Sequence, residues 1–261
     1  GLLEGEEGAS IASPYKGDRL ELGLPASQAD YLRRLREGND KPLIVVLTGG
    51  SPMTIPEVHE LADAVVFAWY PGQQGGNAVA DVLFGDANPS GRLPITFPRS
   101  VEQLPPYEDY SMRGRTYKYM TGEPLYPFGY GLSYTTFAYA EPRLVDGSAA
   151  ADSTLTVEIE MQNTGALDGV EIVQVYHRVH DAPFEVPQAT LVAFRPVSIP
   201  AGASRTVDFA IPAERLRVFD DEGRAVKVKG RHELLVGGVS PGARGAELTG
   251  RELRRVEFTV R

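Results

Sequence analysis

The chain has 261 residues, 42% apolar and 23% charged, enough for two domains of ordinary size with real cores. Its formal net charge of −9 disfavours nucleic acid and anionic membrane surfaces as partners, and the absence of cysteine excludes disulfides and thiolate metal sites. No apolar run approaches the ~18 residues of a membrane-spanning helix, and "GLLEGEEG" lacks the basic residues and apolar core of a signal peptide.

The first predicted element is an acidic loop, "LLEGEEGASIASPYKGDR", with Glu4, Glu6 and Glu7 close together and Gly17-Asp18-Arg19 further on. Residues 20–98 then alternate helix and strand signals. "PASQADYLRRLREGND" (25–40) reads as a helix, with Pro25 in its first turn, an apolar stripe of Tyr31, Leu32 and Leu35, and a stop at Gly38-Asn39. "KPLIVVLTGG" (41–50) and "AVVFAWYPG" (64–72) are short continuous apolar runs, the signature of strands buried on both faces. Helices are expected at "IPEVHELAD" (55–63) and "GGNAVADVLFGD" (75–86). The order β-α-β-α predicts a parallel α/β sheet, and two or three strands are few for an independent one.

The next stretch, up to residue 149, is rich in proline, glycine and aromatics, and its tyrosines and phenylalanines need surface to bury, which predicts an ordered connection. From residue 150 the period changes to two: in "TLTVEIEMQN" Leu155, Val157, Ile159 and Met161 share a face. With the stretches that follow it makes about seven or eight short strands, with Asp221-Glu222-Gly223 as a hairpin turn, the pattern of an immunoglobulin- or fibronectin-type sandwich. The fold class is therefore α/β plus all-β. The expected domains are 1–100, an ordered connection at 101–149, and a β-sandwich at 150–261.

Most chemistry-bearing signals have bland readings. His177 and His180 are three apart in a strand and point to opposite faces, so they do not suggest a metal pair. "TGGSP" (48–52) follows a strand, where α/β sheets place ligand loops, yet a tight turn using glycine's backbone freedom explains it as well. "YPGQQGGNAVADVLFG" enters a helix through glycines but has neither the dinucleotide spacing nor a Walker lysine. Trp69 and Tyr70 end a strand, which favours packing over sugar stacking. Ser51 and Ser133 have no nucleophile elbow around them.

"AWYPGQQGGNAVADVLFGDANPSGRLPITFPRS" (68–100) and "PLYPFGYGLSYTTF" (124–137) resemble the C-terminal half of family 3 glycoside hydrolases, which include β-glucosidases and β-xylosidases. The resemblance implies a partial α/β sandwich domain followed by a fibronectin-III-like domain, partnered by an N-terminal (β/α)8 barrel that carries the catalytic nucleophile and is not in this sequence. It implies a retaining exo-acting hydrolysis of a β-linked oligosaccharide or aryl glycoside, needing no metal or organic cofactor. It also implies that the second carboxyl group, the acid/base, lies on a loop ahead of a Gly-Asp-Arg mark. Counted back from Arg19, Glu7 takes that place, and Glu6 stays open as its alternative. A like charge nearby raises the pKa of an acid that must be protonated to act.

Where the family often has an aromatic platform two residues past the acid, this chain has Ala9, which leaves Tyr15 as the candidate stacking residue. Asp18 and Arg19 read as a clamp supporting the loop. "RGRTYKYM" (113–120) and "LEGEE" lean towards the β-xylosidase side of the family. A periplasmic or secreted location is favoured over the cytoplasm, and self-association into a homo-oligomer stays open. Two other readings stand beside this one: a non-catalytic carbohydrate-binding or scaffold fragment, and a nucleotide-binding module.

Overall fold

The computed structural model of the protein describes residues 21–145 and 154–260. They form two compact units. The first comprises the chain up to Ala87 with Phe97–Tyr110 and Gly122–Leu125; the second comprises Asn88–Thr96, Ser111–Thr121 and the chain from Tyr126 onward. The aromatic stretch is thus shared between the two units.

In the first unit, α1 (Ala26–Arg36) starts behind Pro25, which sits at the N-cap, one step earlier than expected. Its carbonyl accepts the amides of Gln28 and Ala29. Arg33, Arg34 and Arg36 fill the last turn, where positive charge suits the helix dipole. Arg36 also donates to the carbonyl of Leu61 at 2.6 Å and to Asp63 at 2.6 Å, tying α1 to the end of α2 (Pro56–Leu61). Strands β1 (Ile44–Leu47) and β2 (Ala64–Phe67) pair in parallel, Ile44 opposite Ala64 and Leu47 opposite Phe67. Helix α3 (Gly75–Phe84) ends at the left-handed Gly85. Val45, Leu47, Met53, Ile55, Val58, Phe97 and Leu125 are the buried apolar residues.

Two expectations fail here. β1 alternates, burying Val45 and Leu47 while Ile44 and Val46 are 49% and 38% exposed. A run of branched apolar residues marks a strand able to be buried on both faces, but a two-stranded sheet has that cover on one side only among the described residues. Tyr31, expected in the buried stripe of α1, is 62% exposed, and α1 buries no residue fully.

The second unit begins with α4 (Thr116–Tyr119) and the short strands β3 (Phe137–Tyr139) and β4 (Arg143–Leu144). Strands β5 (Leu155–Asn163), β6 (Gly169–Val179), β7 (Thr190–Ile199) and β8 (Ser204–Ile211) follow. A hairpin of β9 (Val218–Phe219) and β10 (Ala225–Val226) comes next, then β11 (Gly230–Gly237), α5 (Ala243–Thr249) and β12 (Arg254–Val260). One antiparallel sheet has the order β12-β11-β6-β7; in the other β8 runs along one edge of β5, and β3 and β4 share the opposite edge.

Leu155, Val157, Ile159 and Met161 do share one buried face of β5, and they meet Val173, Val175, Leu234 and Val236 of the facing sheet in one core. Strand β6 is buried on both faces from Val173 to His177, and on its outer face Tyr117 and Phe128 pack against Tyr176. The hairpin at 221–223 forms as expected, with Gly223 at φ +73° and the Asp220 carboxylate accepting the amides of Glu222 and Arg224.

Candidate active site

Glu6, Glu7, Tyr15, Asp18 and Arg19 lie outside the described residues. Three residues beyond Arg19, the carbonyl of Leu22 accepts the amide of Thr54 at 2.9 Å, in the loop that follows β1. Leu22 is therefore fastened to the loop at the C-terminal end of β1, the side of the sheet where parallel α/β folds place their ligand loops.

The loops after β1 and β2 are packed tightly against each other. Ala68 donates to the Leu47 carbonyl at 2.8 Å, and Gly49 donates to that of Trp69 at 3.3 Å. Trp69 carries φ +55°, a strained conformation for a bulky side chain. Its indole packs edge-on to Phe67, with centroids 4.5 Å apart, and beside Phe97 at 6.2 Å, so Trp69 is committed to packing. Tyr70 is exposed, and its ring lies over Gly50 so closely that a Cβ there would come within 2.7 Å of Cε2. A Cβ on Gly49 would meet Met53 at 2.4 Å. These two glycines permit close approach; neither has a positive φ, so backbone freedom is not the reason for "TGG".

The parts of the family motifs that fall in the second unit, 88–96 and 126–137, build its framework. Asn88 donates to the carbonyl of Asp168 at 2.9 Å and accepts from the Ser133 hydroxyl at 2.9 Å and the Tyr134 amide at 2.8 Å. Ser133 is thus a structural hydroxyl. Leu93 and Gly129 are joined through paired backbone bonds, Leu93 to the Tyr130 carbonyl and Gly129 to that of Leu93, both at 2.8 Å. Gln174 donates to the carbonyls of Gly129 at 3.0 Å and Gly238 at 2.8 Å.

Arg92 reaches Glu171 at 2.9 Å, both side chains more than nine-tenths buried, and Tyr139 donates to the other oxygen of that carboxylate at 2.7 Å. Burial first, and then the Glu171 charge, hold the Tyr139 phenol well above its ordinary pKa, so it remains a donor. In "RGRTYKYM", the Tyr117 hydroxyl accepts the Leu191 amide at 3.0 Å and its ring stacks on Phe128 at 4.4 Å. Sequence reasoning missed the Arg92–Glu171–Tyr139 triad; the arginine stands in a motif, but its partners lie on strands whose pairing the sequence does not print.

The histidines also pair otherwise than their spacing suggests. His177 meets His232 of the neighbouring strand at 2.7 Å, whereas His180 lies 3.3 Å from Glu233. Among the described residues, no group of three or more histidines and carboxylates could hold a metal ion.

Residues 2–134 match the model of the glycosyl hydrolase family 3 C-terminal domain. The chain belongs to this family. Residues 171–240 match a fibronectin type III-like domain. The family 3 relatives include a xylan 1,4-beta-xylosidase from Xylanibacter ruminicola, 44% identical over 90% of this chain and 27% of its own length. A periplasmic beta-glucosidase from Salmonella typhimurium is 37% identical over 84% of this chain and 30% of its own. Among solved structures, a beta-glucosidase from Listeria innocua superposes with a TM-score of 0.79 at 29% identity, covering 94% of this chain and 34% of that one. Another from Erythrobacter marinus gives 0.80 at 32% identity, covering 98% and 33%. The chain therefore spans about a third or less of the length of these relatives.

Proposed function

We propose that this family 3 chain is part of a retaining exo-β-glycosidase that removes terminal β-D-xylosyl or β-D-glucosyl residues, and that it supplies the general acid/base, Glu7. The nucleophile belongs to a (β/α)8 barrel portion beyond this sequence. In this reading residues 1–100 end the α/β sandwich domain, 101–149 connect, and 150–261 form the fibronectin-like domain. The observation that carries it is the family match over residues 2–134 together with relatives named as xylosidases and glucosidases. The location is periplasmic or secreted, in keeping with a relative named as periplasmic; no described helix is long and apolar enough to cross a membrane.

Retaining hydrolysis needs two carboxyl groups about 5–5.5 Å apart. One attacks the anomeric carbon. The second, Glu7, gives its proton to the departing oxygen and then takes one from the water that releases the sugar. Tyr15 stacks on the leaving group, and Asp18 and Arg19 hold the loop. The 44% identity to a xylosidase favours xylose.

The test compares Glu7→Gln and Glu6→Gln in the complete enzyme on aryl glycosides of graded leaving-group pKa. Loss of the acid lowers the rate about 10²–10⁴-fold on poor leaving groups and far less on activated ones. If Glu6→Gln shows that pattern and Glu7→Gln does not, the assignment moves by one residue. If neither does, the loop is not the acid's.

A further inference from the structure

The two loops at the C-terminal end of the β1-β2 sheet carry no charge. Neither 48–56, after β1, nor 68–80, after β2, holds an acidic or basic side chain, in a chain that is 23% charged. Their polar groups are neutral: Gln73, Gln74 and Asn77 stand exposed, with Gln74 Oε1 accepting from Asn77 at 2.6 Å. Uncharged amides beside an exposed aromatic ring suit a neutral partner with many hydroxyl groups.

The aromatic is Tyr70, and its neighbour holds it outward. Trp69, at φ +55°, turns its indole onto Phe67 and Phe97, and its carbonyl accepts the Gly49 amide at 3.3 Å. Tyr70 follows at 68% exposure, its ring against Gly50, where a Cβ would come within 2.7 Å of Cε2. Pro71 comes next and packs on the buried Gly75, whose Cβ would meet Pro71 Cγ at 2.4 Å. The ring is thus braced on both sides along the chain and still faces outward. Backbone strain in a bulky residue persists where the surrounding structure enforces it, and it gathers at sites that hold a group ready for a ligand. A ring fixed beforehand spares a ligand the entropy of ordering it.

We propose that Tyr70 is a substrate-contacting residue, its ring packing on the C–H face of the leaving-group sugar. The inference rests on the reading of this chain as the part that bears the acid. The unit that gives a proton to the departing oxygen is the one that meets the leaving group. Leu22, three residues past Arg19, is bonded to Thr54 in the first of these two loops. Tyr70 acts there in addition to Tyr15, and it favours a leaving group broad enough to cover the ring over a small alkyl one.

The test uses the complete enzyme with xylobiose and methyl β-D-xyloside, or cellobiose and methyl β-D-glucoside if it prefers glucose. The two substrates of each pair differ only in leaving group, so the readout is the ratio of their kcat/KM values. Tyr70→Ala should lower the disaccharide-to-methyl-glycoside ratio about 2–10-fold, the size of one aromatic contact, chiefly through KM for the disaccharide. Tyr70→Leu, which keeps apolar bulk without the flat ring, should lower it too, and Tyr70→Phe should restore it. Gly50→Ala, which displaces the ring, should lower the ratio with Tyr70 still in place. If Tyr70→Ala and Tyr70→Leu reduce both substrates by the same factor, the ring packs against the rest of the polypeptide and the inference falls. An unmoved ratio in an active enzyme overturns this inference alone. A complete enzyme that cleaves neither substrate overturns the glycosidase reading and this inference with it.

Discussion

His177 on β6 and His232 on β11 face each other within the sandwich, Nε2 to Nδ1 at 2.7 Å with their rings stacked 5.0 Å apart. His232 Nε2 lies 2.8 Å from the Val228 carbonyl, which can only accept, so this nitrogen carries the proton and His232 Nδ1 is the acceptor for His177 Nε2–H. The pair is held neutral. Burial, and then His232, push His177 down to about 3; burial, and then the nearby His180 and Lys227, lower His232 against the opposing pull of the Val228 carbonyl. The ring of Phe258 closes the other side.

Both folded pKa values are depressed, so the unfolded chain binds more protons below about 6.5. Stability from this pair is present at neutral pH and declines as pH falls below about 6.5; for His177 the loss runs on towards about 3, by up to about 1.4 kcal/mol per pH unit. Urea midpoints for the second unit's transition, taken between pH 7.5 and 4.5, should show this slope. His177→Leu/His232→Leu should flatten it by removing both titrating rings, while leaving the Val228 carbonyl without its His232 donor.

The Arg92–Glu171 pair should behave non-additively. Glu171→Leu strands a buried guanidinium and the Tyr139 hydroxyl, and should cost about 3–5 kcal/mol. Arg92→Met/Glu171→Leu removes both charges and should cost much less than the two single changes together. Equilibrium urea unfolding of the four proteins measures the coupling; simple additivity would mean that the pair contributes nothing as a pair.

These two pairs show what is legible in the sequence and what is not. The period-two pattern places Leu155, Val157, Ile159 and Met161 on one face, because alternation is a local property of a strand. It cannot say that β6 lies beside β11, so the spacing sets His177 against His180, three residues away, instead of His232, 55 residues away. The SGRLP stretch is recognisable, but the partner of its arginine is 79 residues distant. Glu7 is reached through the resemblance and its offset from Gly17-Asp18-Arg19, and no local periodicity singles it out from Glu4 and Glu6. The one-sided burial of β1 is not legible because its residues record what a strand can bury, and cover comes from elsewhere in the fold.

Two glycine substitutions should separate two kinds of constraint. A Cβ at Gly131 would come within 2.2 Å of the Gly91 carbonyl oxygen, a backbone atom that cannot turn aside. Gly131→Ala should therefore cost about 1–3 kcal/mol or more, through overpacking. Gly223 has open space around it but φ +73° in the hairpin turn, so Gly223→Ala should cost only about 1–2 kcal/mol. Lengthening the side chain distinguishes them further: Gly223→Asn should recover part of the loss, because asparagine tolerates the left-handed region, while Gly131→Asn should be worse than alanine. Thermal unfolding of the four variants reads both effects.

Ile44 and Val46 make the last case, because their side of β1 is apolar and exposed. Parallel sheets are ordinarily covered on both faces, and an open apolar face beside strand edges that no described strand pairs favours association. The 261-residue chain alone should self-associate as its concentration rises, and Ile44→Lys/Val46→Lys should suppress this while changing its unfolding midpoint little, since exposed substitutions usually act within about 0.5 kcal/mol. Sedimentation velocity measures the first and urea unfolding the second. In a longer polypeptide that covers the face, the same pair of changes should instead destabilise by at least about 1.5–3 kcal/mol, the value of one buried side chain of this size. A destabilisation in the short chain, with association unchanged, would show that the face is already covered there.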